Sequence, residues 1–255
     1  MSFFSLNGVT MRFGGLVALN RFSMDVEQGS IHALIGPNGA GKSTVFNCVS
    51  RFCQPASGEI VLDGRQLLGE PAHRIAGLGV ARTFQNIEQL HQMTVLENVL
   101  VGLHSRVAGY VPFLPGSARR NAEGAAIREA DEILERLGLQ SFRDTYAGQL
   151  DFGRQKMLDV ARALAARPRL LLLDEPAAGL RNREISFIDG VLLDLARKQG
   201  ITIVLVEHVM QLVMSVADRV TVLNFGEKIA EGAPAEIRAN PKVVEAYLGV
   251  EAAHA

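Results

Sequence analysis

The most specific chemistry in the chain belongs to Gly36-Pro37-Asn38-Gly39-Ala40-Gly41-Lys42-Ser43-Thr44. This run matches G-x-x-x-x-G-K-[ST]. Before it lies a short apolar run, Ser30 to Ile35, that reads as a buried strand; after it Val45 to Phe52 reads as a helix. The spacing suits a cradle for phosphate. Glycines let backbone N–H groups turn inward with no Cβ in the way, and a helix N-terminus adds partial positive charge. Lys42 then supplies a point charge to β- and γ-phosphates, and the Ser43 hydroxyl is a ligand for Mg²⁺.

A second constellation is Leu170 to Leu173 followed by Asp174-Glu175-Pro176. An apolar strand carries an acid pair at its C-terminal end, where open α/β sheets place ligands. Asp174 is the natural Mg²⁺ partner of Ser43, directly or through water. Glu175 can polarise a water for attack on a γ-phosphate. A plain turn cap would explain Glu175 alone, but two adjacent acids at this place suit hydrolysis. Gln85 follows the strand-like Gly79 to Phe84, and His208 follows Ile201 to Val206 with Glu207 between. A lone histidine at a strand end is usually structural. Here the same sheet edge could present it to the phosphates, so both readings stand.

These residues need elements to hold them. Phe3 to Phe13 and Val17 to Val26 read as strands that end at Gly14-Gly15 and Gln28-Gly29, and Gly58 to Asp63 as another. The middle of the chain turns helical. Thr94 to Leu103, Asn121 to Leu137 (with Gly138 as its C-cap) and Asp151 to Ala166 show helical periods, and Ala108 to Gly116 reads as a loop. Tyr110, Val111, Phe113 and Leu114 in that loop are a contact site or fold onto the helices. Strand and helix then alternate again through Glu184 to Lys198 and Ile201 to Val206. Arg219 to Asn224 and Lys228 to Glu231 suggest a hairpin around Phe225-Gly226, and Ala235 to Tyr247 a terminal helix. The expected plan is an α/β core split by a helical insert.

Composition bounds the function. The chain has 255 residues, with 26 Lys and Arg against 27 Asp and Glu. That balance offers no basic footprint for nucleic acid. With 48% hydrophobic and 21% charged residues, a disordered chain is not expected. The two cysteines, Cys48 and Cys53, are too few for a disulfide scaffold and fit a reducing cytoplasm. The N-terminal segment lacks the pattern of a signal peptide. Apolar runs such as Ile201 to Val206 fall far short of the ~20 residues of a membrane span. The expectation is a protein soluble by itself that can still sit on a membrane protein.

In their order along the chain, the phosphate loop, Gln85, Leu150-Asp151-Phe152-Gly153-Arg154-Gln155, the acid strand and His208 resemble the ATP-binding subunits of ABC transporters. The resemblance covers essentially the whole chain. It looks most like the ATPases of branched-chain amino acid importers, through five segments. These are Met11-Arg12-Phe13-Gly14-Gly15, Val80 to Gln85, Met93 to Val99, Asp174 to Leu180, and the tail from Asn240-Pro241 to Tyr247-Leu248-Gly249. Importers of amides or urea share much of these.

The resemblance implies an α/β fold of the ABC ATPase type. This is a P-loop NTPase core with a mainly parallel central sheet, an N-terminal antiparallel β-subdomain and an inserted α-helical subdomain. Residues 1–85 and 168–234 would form the ATP-binding core, 86–167 the helical subdomain with the signature motif, and 235–255 a C-terminal helix and tail. Phe13 would stack on adenine. Gln85 would ligate Mg²⁺ or the attacking water and sense the membrane subunit, and His208 would contact the γ-phosphate. Two such subunits pair head to tail and sandwich two ATP molecules. Leu150, Asp151, Phe152, Gly153 and Arg154 would then act on the partner's ATP. The implied partners are integral-membrane permease subunits, a second identical or similar ATPase, and indirectly an extracytoplasmic substrate-binding protein. The implied location is peripheral, on the cytoplasmic face of the cell (inner) membrane.

Two departures bear on that scheme. The common signature begins Leu-Ser-Gly-Gly, whereas this chain has Leu150-Asp151-Phe152-Gly153. An ionised Asp151 cannot donate to a phosphate, so it reads better as an N-cap for the helix that follows. Many relatives carry an aspartate after Gly-Leu, where this chain has Arg181-Asn182. Two alternatives are a non-hydrolytic ATP-binding regulatory module and the ATPase of an exporter or lipid-extracting complex.

Overall fold

A computed structural model describes residues 2–84, 90–107 and 116–251, of which 104–107, 116–119 and 248–251 are described as backbone only. The first strands, β1 (Phe4–Phe13) and β2 (Leu16–Val26), form an antiparallel hairpin that closes with Phe13 opposite Leu16. β3 (Ile31–Ile35) leads through the glycine loop into α1 (Lys42–Val49). β4 (Ser57–Leu62) returns to pair with β1, and the short β5 (Arg65–Gln66) completes a four-stranded sheet ordered β2-β1-β4-β5. α2 (Ala72–Ile75) precedes β6 (Val80–Arg82). Three helices follow: α3 (Val95–Val107), α4 (Gly116–Arg136) and α5 (Phe152–Ala165). The chain then runs β7 (Leu170–Asp174), α6 (Asn182–Arg197), β8 (Thr202–Val206), α7 (Met210–Val216), β9 (Arg219–Asn224), β10 (Glu227–Gly232), α8 (Pro234–Arg238) and α9 (Pro241–Glu251).

The second sheet is ordered β10-β9-β3-β8-β7-β6, parallel except for β10. Every residue of β3, β7 and β8 is buried. Their near-continuous aliphatic sequence is what a strand covered on both faces requires. Successive side chains alternate between two cores. Leu171, Leu173, Ile203 and Leu205 pack with the helices α3 to α6. Leu170, Leu172, Val204 and Val206 pack with α1 and the antiparallel sheet. The parallel sheet is thus the middle layer, and its C-terminal edge emerges between the two cores.

The observed elements differ from the sequence expectation at several ends. The glycine loop's own Lys42-Ser43-Thr44 is the first turn of α1, which stops at Val49 and leaves Phe52 63% exposed beyond it. α4 begins at Gly116 rather than Asn121, because its first turns carry no apolar period. The helix ends at Arg136, one residue short of the expected Leu137, and Gly138 caps it as expected: it has φ 66°, and Leu139 N–H bonds the Leu134 carbonyl at 2.8 Å. α7 is not legible as a separate period. The single terminal helix expected over Ala235 to Tyr247 is two. Pro241 offers no N–H and bars its predecessor from helical geometry, and Asn240 Oδ1 accepts from Lys242 N–H at 3.0 Å to start α9. Tyr110, Val111, Phe113, Leu114 and Gln85 lie outside the described residues.

Candidate functional site

The glycine loop fills the gap between the C-terminal end of β3 and α1. Gly36, Gly39 and Gly41 have φ of 153°, 78° and 110°. A Cβ at Gly36 would fall 2.0 Å from the Leu223 carbonyl oxygen, and one at Gly41 would fall 2.7 Å from that of Ala18. Gly36 and Gly41 are therefore required by close backbone approach as well as by conformation, and Gly39 by conformation alone. Lys42 Nζ donates to the carbonyls of Gly36 (2.7 Å) and Pro37 (2.9 Å), which folds the ammonium into its own loop. Burial pulls its pKa below the usual lysine range, and Glu175 and Asp174 oppose that.

The acid pair ends β7. Asp174 is 3% exposed, and its Oδ2 accepts from Arg82 Nη2 at 3.0 Å. Burial raises the Asp174 carboxyl, and the Arg82 pair works against it. Arg82 also donates to Asn47 Oδ1 at 2.7 Å, and its guanidinium lies over the rings of Phe46 and Phe84. Glu175 has φ 50°, a left-handed conformation that costs a non-glycine residue about 1–2 kcal/mol. Its N–H bonds the Val206 carbonyl at 2.9 Å, and its carbonyl accepts from Lys156 Nζ at 3.1 Å. The bend turns its carboxylate to the neighbouring strand, where Oε1 lies 2.7 Å from His208 Nε2.

Between these two segments sits Glu207, with no exposed surface. Its carboxylate accepts from the N–H groups of Ala177 (2.6 Å), His208 (2.9 Å) and Val209 (3.0 Å). Burial raises its carboxyl, and the three amides pull it back. One buried carboxyl group thus ties the loop after Glu175 to the loop that carries His208.

Phe13 is 48% exposed at the end of β1. It lines a cleft of about 440 Å³ together with Leu16, Asn38 to Thr44, Glu175 and Phe225. The structure therefore brings Phe13, the second half of the phosphate loop and Glu175 to one cleft, with His208 bonded to Glu175. Asp174 is buried one residue before it.

Leu150, Asp151, Phe152, Gly153 and Arg154 are not in that cleft. Leu150 is buried, and Asp151 is the N-cap of α5, its Oδ1 accepting from Arg154 N–H at 2.9 Å and its Oδ2 paired with the Arg154 guanidinium. The cap expected from sequence is present, and Arg154 offsets its charge. Phe152 lies against Gly179, where a Cβ would come 2.9 Å from the ring, and a Cβ on Gly153 would meet Glu184 Oε1 at 2.5 Å. Arg181 is exposed at the start of α6, with its N–H bonded to Glu184 Oε2 at 2.7 Å.

Sequence reasoning gave no role to Arg82, Lys156, Glu207 or Phe225. For Glu207 a signal existed, since an acid directly follows β8 much as the acid Asp174 ends β7. Lys156 shows its part only in the fold, where its ammonium meets the Glu175 carbonyl.

Residues 19–178 match the family model described as ABC transporter. Residues 227–253 match one described as branched-chain amino acid ATP-binding cassette transporter. The chain is 45% identical to the high-affinity branched-chain amino acid transport ATP-binding protein BraF of Pseudomonas aeruginosa, over 96% of both chains. It is 43% identical to the corresponding LivG of Escherichia coli, over 96% of this chain and 97% of that one. Among solved structures, an ATP-binding cassette of an ABC transporter in its ADP conformation superposes with a TM-score of 0.85 at 31% identity, covering 98% and 99% of the two chains. A dimeric cassette in a post-hydrolysis state, bound to ADP and Pi, gives 0.77 at 26% identity, covering 91% and 98%.

Proposed function

The chain belongs to the ATP-binding cassettes of ABC transporters, and from that premise we propose how its residues bind and hydrolyse ATP as the motor of a branched-chain amino acid importer. The observation that carries the catalytic reading is the Glu175–His208 hydrogen bond beside the phosphate loop. ATP seats its phosphates on backbone N–H groups of the loop from Asn38 to Thr44, with adenine against Phe13. The Lys42 ammonium exchanges its two loop carbonyls for the β- and γ-phosphate oxygens. Glu175 takes a proton from a water whose oxygen bonds the γ-phosphorus as the bond to the β-phosphate oxygen breaks, leaving ADP and phosphate. His208 orients the γ-phosphate and Glu175.

Ser43 and Asp174, with Gln85, would hold Mg²⁺. Among the described residues no cluster of three or more His, Cys, Asp or Glu forms a metal cage. Mg²⁺ held through one or two protein oxygens and the substrate phosphates needs none. The ion would supply positive charge to the phosphate oxygens.

In this reading the core (1–85 and 168–234) grips one nucleotide, and the insert (86–167) presents Leu150 to Arg154 to the nucleotide of a second ATPase, identical or similar. A γ-phosphate held from both sides favours the closed pair over the open one, the differential affinity that lets binding do work. The permease subunits would dock in a groove of about 350 Å³ between α3, α5 and the core. Phe52, Phe84 and Val101 are exposed there, at 63%, 38% and 41%. Phe84 directly precedes Gln85, so a docked permease would reach the Mg²⁺ site. No helix among the described residues is long and apolar enough to cross a membrane, and the reading puts the chain at the cytoplasmic face on its permease, with a substrate-binding protein outside.

Two measurements test this. Glu175→Gln in the purified transporter should abolish ATP turnover and retain ATP binding; undiminished turnover would remove Glu175 as the base. Val101→Arg should leave ATP binding by the chain intact and prevent its co-purification with two permease subunits.

A further inference from the structure

The hairpin between β9 and β10 turns on only two residues, Phe225 and Gly226, with Asn224 paired opposite Glu227. Both have left-handed backbones, φ 45° and 78°. That is a type I′ turn, which favours Asn, Asp or Gly at its first position because those residues tolerate positive φ. A phenylalanine there is conformationally unfavourable, and it is 83% exposed. Neither the turn nor the core gains from the ring.

The turn is nevertheless held firmly at one place. Gly226 N–H donates to the Ala40 carbonyl of the phosphate loop at 2.8 Å, and Asn20 N–H donates to the Gly226 carbonyl at 2.9 Å. A Cβ on Gly226 would fall 2.7 Å from the Ala18 carbonyl oxygen, so turn and β2 are in backbone contact. The backbone that carries the exposed ring is thereby fixed at the cleft that Phe13, Leu16 and Asn38 to Thr44 also line. An unfavoured, exposed aromatic on a rigid mount, in a cleft lined by a second exposed aromatic, is the arrangement expected of a platform for a flat ring.

We propose that Phe225 is a second aromatic wall of the nucleotide cleft and contacts the adenine base together with Phe13. This rests on the ATP-binding reading above and extends it to base recognition. The phosphates are held by the loop's amides and Lys42. The base, which carries no charge, is held by ring faces, each worth about a ten-fold gain in affinity by analogy with aromatic stacking of nucleic-acid bases.

The test uses the complete chain. It contains no tryptophan, so Phe225→Trp places the sole indole at the turn. ATP should change the emission of that indole and tripolyphosphate should not. Phe225→Asn suits the turn better than the native residue and keeps it folded. It should weaken ATP binding about ten-fold while leaving tripolyphosphate binding unchanged. Phe225→Tyr should retain ATP affinity. Unchanged ATP affinity in Phe225→Asn, or an equal loss for ATP and tripolyphosphate, overturns the proposal. So does a loss confined to ATP-driven pairing of two chains, which would make Phe225 a partner contact. A native chain that binds no ATP would instead overturn the functional reading itself.

Discussion

In the proposed mechanism Glu175 would reach the attacking water only through a backbone conformation that its own residue type resists. Such a bend persists when neighbours over-determine it, at about 1–3 kcal/mol per strained residue. Here those neighbours are the Val206 carbonyl, His208, and the buried ammonium of Lys156 on α5. Lys156 would act by holding the Glu175 carbonyl. Its ammonium also lies 5.6 Å from the centre of the Phe152 ring, so Phe152 and Glu175 share one cation. Lys156→Met should therefore lower kcat about ten-fold and leave ATP affinity unaltered, and Lys156→Arg should restore most of it. Equal loss in both variants would reduce Lys156 to a packing residue. Of the residues that build this site, the phosphate loop and acid pair are legible in sequence because each is a local run with fixed spacing. Lys156 and Arg82 are not, because their partners lie 19 and 92 residues away along the chain; Glu207 stands out as an acid at a strand end, but its bond to Ala177, 30 residues away, does not.

Elements were legible where burial is uniform. The aliphatic runs of β3, β7 and β8 admit one reading, since a central parallel strand must be apolar on both faces. Ends were harder. Pro241 breaks an apolar period that otherwise runs on through Ile237, Val243 and Tyr247. The start of α5 was legible from its cap, and that cap carries a prediction. Asp151→Ala removes the acceptor for Arg154 N–H and should cost about 1 kcal/mol of stability, read from denaturant midpoints. Asp151→Ser keeps the cap and removes a negative charge where a partner's phosphate would approach. Two unit charges 4 Å apart repel by about 4 kcal/mol at an effective dielectric of 20, before the share offset by Arg154. The serine variant should accordingly pair more readily in the presence of ATP, as a shift to the dimer in sedimentation; no gain would mean that Arg154 already neutralises the site. At the crossing of α3 and α5, a Cβ on Gly102 would sit 2.4 Å from the Arg162 carbonyl. Gly102→Ala should push the two helices apart and destabilise the chain by about 1–3 kcal/mol.

The whole molecule hangs its chemistry on one sheet, because the phosphate loop, acid pair and His208 all leave its C-terminal edge. What weakens the sheet therefore dissolves the site. His32 lies inside β3 at 1% exposure, its Nε2 2.8 Å from Thr221 Oγ1 of β9. Burial lowers its pKa to about 4, assisted by the cations of Arg219 and Lys228 and opposed by Glu231 and Asp25. The unfolded chain binds that proton near pH 6.5. Between the two values the unfolded state carries more protons than the folded one, so stability is full above about pH 6.5 and falls as pH drops toward 4. The integrated loss approaches about 3 kcal/mol, at about 1.4 kcal/mol per pKa unit, against a total of about 5–15 kcal/mol for a typical domain. Denaturant midpoints of the native chain should fall between pH 7.5 and 4.5. His32→Gln keeps a hydrogen-bonding partner for Thr221 and does not titrate, so its midpoint should fall less over the same interval, by the His32 share. Parallel declines in the two proteins would assign the acid sensitivity to other groups, and ATP binding measured alongside should track the midpoint rather than the pH itself.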